Sequence, residues 1–78
     1  MTFNYRVIRK TYASGETDYA IHEVYYNDKY DIESWSEDAI CAIGDDLSEL
    51  NTDVHRMLSA LTKPVLEEVD NKLVEVKQ

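Results

Sequence analysis

The chain has 78 residues, enough for one domain, and at that length only about 60–65% of the unfolded surface can be buried, so the core is small and stability marginal. Sixteen acidic against 8 basic side chains give a net charge of −8, which repels phosphate backbones and leaves no expectation of direct DNA or RNA binding. Apolar residues make up 44%, which argues against a disordered chain, yet no apolar run approaches the ~20 residues of a membrane-crossing helix.

Residues 2–12, TFNYRVIRKTY, and 17–26, TDYAIHEVYY, mix aromatic and β-branched residues, and Ser14-Gly15 lies between them. This predicts a β-hairpin. A four-residue loop, Ala13 to Glu16, sets Tyr12 opposite Thr17 and pairs Ile8 with Ile21, Arg6 with Glu23 and Tyr5 with Val24. One face then carries Phe3, Tyr5, Val7, Ala20, His22, Val24 and Tyr26. The other carries Arg6, Ile8, Lys10, Tyr19, Ile21, Glu23 and Tyr25. The first face is the more apolar and is expected to meet a helix.

A turn at Asn27-Asp28-Lys29 leads to a third strand, Tyr30 to about Ser36. A three-residue loop places Tyr30 and Ile32 on the helix face and Trp35 on the other; a two-residue loop reverses this. The longer loop is preferred because it keeps Asp31 and Glu33 out of the core. Residues 37–45 form a connector. Asp46 is then a good helix N-cap, with Glu49 three residues on, and Leu47, Leu50, Val54, Met57, Leu58 and Leu61 follow at helical spacing. Pro64 stops the helix, which is predicted from about Leu47 to Thr62. The tail is open: Asp70-Asn71 between Val-rich pieces suits a small hairpin, while Glu67 to Val76 suits a frayed helix equally, and such tails also stay loose.

The expected fold is therefore α+β: a three-stranded antiparallel sheet followed by one amphipathic helix on one face (β-β-β-α). Residues 1–66 make the domain and 67–78 an acidic tail.

Candidate chemistry is sparse. His22 and Glu23 are neighbours in a strand and point to opposite faces; His22 is expected as a satisfied, partly buried histidine whose ring nitrogen meets a tyrosine hydroxyl or a backbone carbonyl. His55 lies beside the helical stripe. A zinc site needs His22, His55 and a third ligand such as Cys41 to converge, and nothing in the spacing demands it. Cys41, in the run AICAI, reads as a small packed residue rather than a nucleophile. Gly15 and Gly44 are too far apart for a phosphate-cradling loop. No enzyme activity, metal, cofactor or small-molecule ligand is expected. The lone cysteine and the absence of a basic-then-apolar start over Met1 to Arg9 lead to the expectation of a cytoplasmic protein.

Six tyrosines and one tryptophan are more informative. One helix covers one sheet face, so aromatic residues on the other are left for a partner. Ile8, Tyr19, Ile21, Tyr25 and Trp35 are the expected interface, and the function read from them is a non-enzymatic protein-interaction domain, homodimeric through the open sheet face. An alternative rests on charge: residues 37–78 hold ten acids against four bases, and Asp45, Asp46, Glu49 and Asp53 cluster at the helix start. Such a surface suits an acidic decoy that inhibits a nucleic-acid-binding protein.

The succession NYRVIR, AIHEVYY, SWSED, then Gly44 with DLSELNTDVHRMLSAL and KPVL resembles a family of small uncharacterised bacterial proteins, over Thr2 to Leu66. The resemblance implies a cytoplasmic bacterial domain and carries no activity. More distantly, three strands followed by a helix start like that of Gly44 to Leu50 are similar to the N-terminal domain of HicB-type antitoxins. That likeness implies a binder of a small basic partner protein that oligomerises through its sheet.

Overall fold

A computed structural model describes residues 2–76. Two ten-residue strands, β1 (Thr2–Thr11) and β2 (Thr17–Tyr26), form the expected hairpin, but its register is one residue from the predicted one. Ile8 lies opposite Ala20, Arg6 opposite His22 and Tyr5 opposite Glu23. The cause is in the turn. Gly15 adopts φ +91°, its N–H reaches the Tyr12 carbonyl at 2.8 Å, and the Tyr12 N–H reaches the Glu16 carbonyl at 2.8 Å. The loop is thus the three residues Ala13 to Gly15, a tight turn closed by a left-handed glycine, and Glu16 already belongs to the ladder. One residue fewer in the loop flips β2 against β1. Phe3, Tyr5 and Val7 share a face with Tyr19, Ile21, Glu23 and Tyr25; Asn4, Arg6 and Ile8 share the other with His22, Val24 and Tyr26.

The second turn repeats the first. The Asn27 N–H reaches the Asp31 carbonyl and the Tyr30 N–H reaches the Asn27 carbonyl, both at 2.9 Å, and Tyr30 stands at φ +63° where the first turn has glycine. Asn27 Oδ1 reinforces it by accepting from the N–H groups of Lys29 and Asp31. The three-residue loop is therefore Asp28 to Tyr30, and Tyr30 is not in the strand. β3 (Ile32–Trp35) pairs Ile32 with Tyr26 and Trp35 with Val24, with a register shift between them. That irregularity puts Ile32 and Trp35 on one face, where a regular strand would separate them.

Beyond α1 (Leu47–Ala60) the chain returns as β4 (Val65–Val69), parallel to β1 with Leu66 opposite Ile8, and β5 (Lys72–Val76), antiparallel to β4. Asp70 and Asn71, both left-handed (φ +53° and +63°), make the two-residue turn whose twist matches the strands it joins. The fold is α+β with one helix, as expected, but the sheet has five strands in mixed orientation, ordered β3-β2-β1-β4-β5. The expected tail supplies β5 and most of β4, which begins at Val65 within the expected domain; residues 77 and 78 lie outside the described residues.

Ile8, Val24 and Leu66 are the buried centre, and Tyr26, Ile32, Trp35 and Leu73 pack against them. Four steps between flat neighbouring strands would span about 19 Å. Side chains of both edge strands nonetheless meet one cluster, so the sheet curls around it. His22 is buried on this concave face and its Nδ1 lies 2.9 Å from the Ser36 carbonyl. The helix lies on the other face, over β1.

Gly44 sets how the connector meets the helix. A Cβ there would stand 2.4 Å from the Leu50 nitrogen and 2.7 Å from the Glu49 carbonyl carbon, both backbone atoms that cannot swing aside. Gly44→Ala is expected to cost about 1–3 kcal/mol, read as a lower urea midpoint with an unchanged slope.

Candidate interaction surface

The helix starts as its sequence requires. Asp46 has extended backbone and its Oδ1 accepts from the Glu49 N–H at 2.8 Å, while Glu49 Oε2 accepts from the Asp45 N–H at 2.9 Å. Asp46 and Glu49 are thus engaged in capping. What the sequence does not convey is the rotation of the helix about its axis. The apolar stripe was expected to face the sheet. Instead the sheet-facing arc is Leu50, Asp53, Met57 and Ala60, with Asp53 and Ala60 buried. At about 100° per residue this arc lies to one side of the stripe. Leu47, Val54, Leu58 and Leu61 are left 80%, 46%, 59% and 64% exposed. Ile43, in the connector beside the helix start, is exposed too.

Asp53 accounts for that rotation. Its Oδ1 accepts from the Tyr5 hydroxyl at 2.6 Å and its Oδ2 from the Ile43 N–H at 3.1 Å, so one carboxylate ties strand, helix and connector together. The hydrogen bond from Tyr5 and that from the Ile43 backbone hold the Asp53 carboxyl below its ordinary range. Reciprocally, the bond to Asp53, with burial and the carboxylate's charge, pushes the Tyr5 phenol up to about 12. Sequence spacing held a signal for this: Asp53 sits three residues after Leu50 and four before Met57, inside the apolar periodicity rather than opposite it.

The predicted sheet interface is divided by the register. Tyr19, Ile21 and Tyr25 lie on the convex face, on the same side as the helix. Tyr19 is exposed, and Phe3 joins them, its ring 5.9 Å from that of Tyr25 and 6.3 Å from that of Tyr5. Ile8 and Trp35 lie on the concave face; Ile8 is part of the buried centre and Trp35 packs on it, so neither can join Tyr19 in one surface. Arg6 does not meet Glu23. Glu23 accepts instead from the Tyr25 hydroxyl, and Arg6 is buried on the concave face beside Tyr26 and Pro64.

The remaining candidates stay apart. His22 is buried against Ser36, His55 is exposed with its Nδ1 at 2.8 Å from the Asn51 carbonyl, and Cys41 is exposed in the connector. Among the described residues no three His, Cys, Asp or Glu side chains are grouped to hold a metal ion, and no helix is long and apolar enough to cross a membrane. Comparison with models of protein families, with curated proteins and with solved structures finds no match. The surface that stands out physically is the exposed aliphatic arc of α1, with the aromatic convex face of β1 and β2 beside it.

The clamp gives a pH signature. Tyr5 is raised above its unfolded value of about 10, so its contribution to stability is complete below that pH and is lost as pH climbs through about 12. Asp53 is lowered, so its contribution is present above the unfolded carboxylate value and is lost as pH falls through its folded one. In an ultraviolet titration of the tyrosinates, Tyr5→Phe is expected to remove the last-titrating phenol, near pH 12, and to flatten the alkaline loss of stability.

Proposed function

We propose that the protein is a non-enzymatic interaction domain whose partner across α1 is a second copy of itself. The observation that carries this reading is the exposed arc Leu47, Val54, Leu58 and Leu61, four large aliphatic side chains turned to solvent on one helix face.

Surface area supports it. A folded monomer of this 9.1 kDa mass is expected to expose about 4,900 Å². The chain exposes 5851 Å². The excess, on the order of 900 Å², is close to what one partner contributes to a standard interface. The buried hydrophobic centre is also small for 78 residues: Val7, Ile8, Val24, Ala60 and Leu66. Burial of the arc would extend it.

The arc is self-complementary. A twofold axis at Val54, with the two helices antiparallel, sets Leu47 of one copy against Leu61 of the other and Val54 against its own copy, with Leu58 beside them. The same operation brings the acidic helix start, Asp45 and Asp46, to the end of the other helix, where Lys63 stands. Antiparallel helix dipoles favour that arrangement as well. A pairing built this way needs no basic partner, although the net charge of −8 opposes it at low salt.

Light scattering is expected to give twice the 9.1 kDa chain mass, and Leu58→Glu to halve it while leaving the far-ultraviolet dichroism in place. Tyr19→Glu, on the convex sheet face, is expected to leave the dimer intact. A wild-type monomer, or a dimer that Tyr19→Glu dissociates and Leu58→Glu does not, would overturn the helix pairing; the second result would return the interface to the sheet.

A further inference from the structure

The side of α1 that meets the sheet is not the side that its sequence makes apolar. Leu47, Leu50, Val54, Met57, Leu58 and Leu61 form one stripe along the helix. At about 100° per residue, the centre of that stripe lies about 70° round the helix from the middle of the arc Leu50, Asp53, Met57 and Ala60, which faces the sheet. A helix with its side chains is about 10–12 Å across, so a roll through that angle carries its surface only about 6–7 Å. The roll brings the stripe onto the convex face of β1, where Val7 is already buried, and carries Asp53 to the margin.

One side chain stands against this roll. The Asp53 carboxylate accepts from the Tyr5 hydroxyl at 2.6 Å and from the Ile43 N–H at 3.1 Å, and it reaches both only in the observed rotation. The other side-chain bonds of the helix stay within it or its caps: Glu49 to Asp46, Thr52 to Ser48, His55 to Asn51 and Lys63 to Ser59. Those bonds travel with the helix. So does Gly44, which lies against the backbone of Glu49 and Leu50. Arg56, whose charge acts on Asp53, sits on the same helix and favours neither rotation. Two hydrogen bonds to a carboxylate are therefore set against the burial of Leu47, Val54, Leu58 and Leu61, and these are effects of the same order. One group decides between two rotations of a single helix.

We infer that Asp53 is a positioning residue for the pairing of two copies: its carboxylate holds α1 in the rotation that leaves the arc free, and without it the helix rolls and closes the arc on its own sheet. The consequence for pairing rests on the function proposed above, whereas the roll is a property of one chain. Asp53 itself need not touch the partner.

The variant that tests this is Asp53→Leu in the full chain. Expected are a retained far-ultraviolet dichroism, a light-scattering mass of one 9.1 kDa chain and a urea midpoint no lower than that of the wild type. Loss of a merely structural clamp would lower the midpoint and leave the mass alone. Nuclear Overhauser contacts between the Leu58 methyl groups and the side chains of Phe3, Tyr5 or Val7 report the roll directly. They are expected in Asp53→Leu and absent from the wild type, whether or not the wild type pairs. Leu58→Glu is then expected to lower the urea midpoint of the Asp53→Leu chain, where Leu58 is covered. Tyr5→Phe removes one of the two clamping bonds without touching the helix, and is expected to weaken pairing at least about threefold. An Asp53→Leu chain that still pairs, that loses its dichroism or its urea midpoint, or whose Leu58 stays clear of β1 would each overturn the assignment. A wild-type monomer whose Asp53→Leu variant gains the Leu58 contacts would overturn the pairing and uphold the roll.

Discussion

The buried carboxylate of Asp53 is the constraint on which the shape of this molecule depends. An amphipathic helix laid on a sheet ordinarily turns so that its apolar arc is covered. Here one carboxylate must sit at the junction, because it accepts from the Tyr5 hydroxyl and from the Ile43 N–H. Fixing Asp53 there fixes the helix rotation. Leu50, Met57 and Ala60 then go toward the sheet, and Leu47, Val54, Leu58 and Leu61 toward solvent. Full burial of a leucine is worth about 1.5–3 kcal/mol. Four large aliphatic side chains left 46–80% exposed therefore forfeit burial of the same order as two hydrogen bonds to a carboxylate return. Covering the arc with another surface would add that burial back, and the proposed pairing of two copies would supply such a surface.

The sheet meets the same scarcity of core in a different way. Three side chains, Ile8, Val24 and Leu66, are its centre, and they come from three neighbouring strands, two of one hairpin and the third distant in sequence. Leu66 is available only because β4 returns parallel to β1 after the helix, a connection that antiparallel hairpins cannot make. The β4–β5 hairpin is thus not an appendage. It contributes Leu66 to the centre and Leu73 to its margin, and Glu67 meets Arg9 across the parallel pair at 2.9 Å. Curling the sheet over this cluster lets a short chain enclose a core without a second layer on the concave side.

Much of this was legible locally. The two long strands, the N-cap at Asp46, the end of the helix before Pro64 and the turn potential of Asp70-Asn71 are all written in adjacent residues. What escaped was decided by single left-handed residues or by contacts far apart in sequence. Gly15 shortens the first loop by one residue, and that alone exchanges the partners of Arg6 and divides Ile8 from Tyr19. Tyr30 could not be anticipated as a loop residue, because nothing about tyrosine favours φ +63°. The parallel pairing of β4 is nonlocal and leaves no mark in its own segment beyond β-branched residues. For the candidate interface, the sequence singles out the aromatic residues of β2, whereas the helix arc emerges only with the helix rotation, since an apolar stripe reads the same whether it is covered or left exposed.

The two matching turns place different residues under the same backbone demand. Both loops have three residues and the same pair of closing hydrogen bonds, so the backbone demand is equal. The first meets it with Gly15, around which a Cβ would find nothing within 4 Å, and is simply a turn. The second meets it with a tyrosine that is 77% exposed and gains no core burial in exchange for its strain. Folding alone would favour glycine, asparagine or aspartate there. A side chain kept at a position that the backbone disfavours and the core does not reward is not explained by what holds the fold.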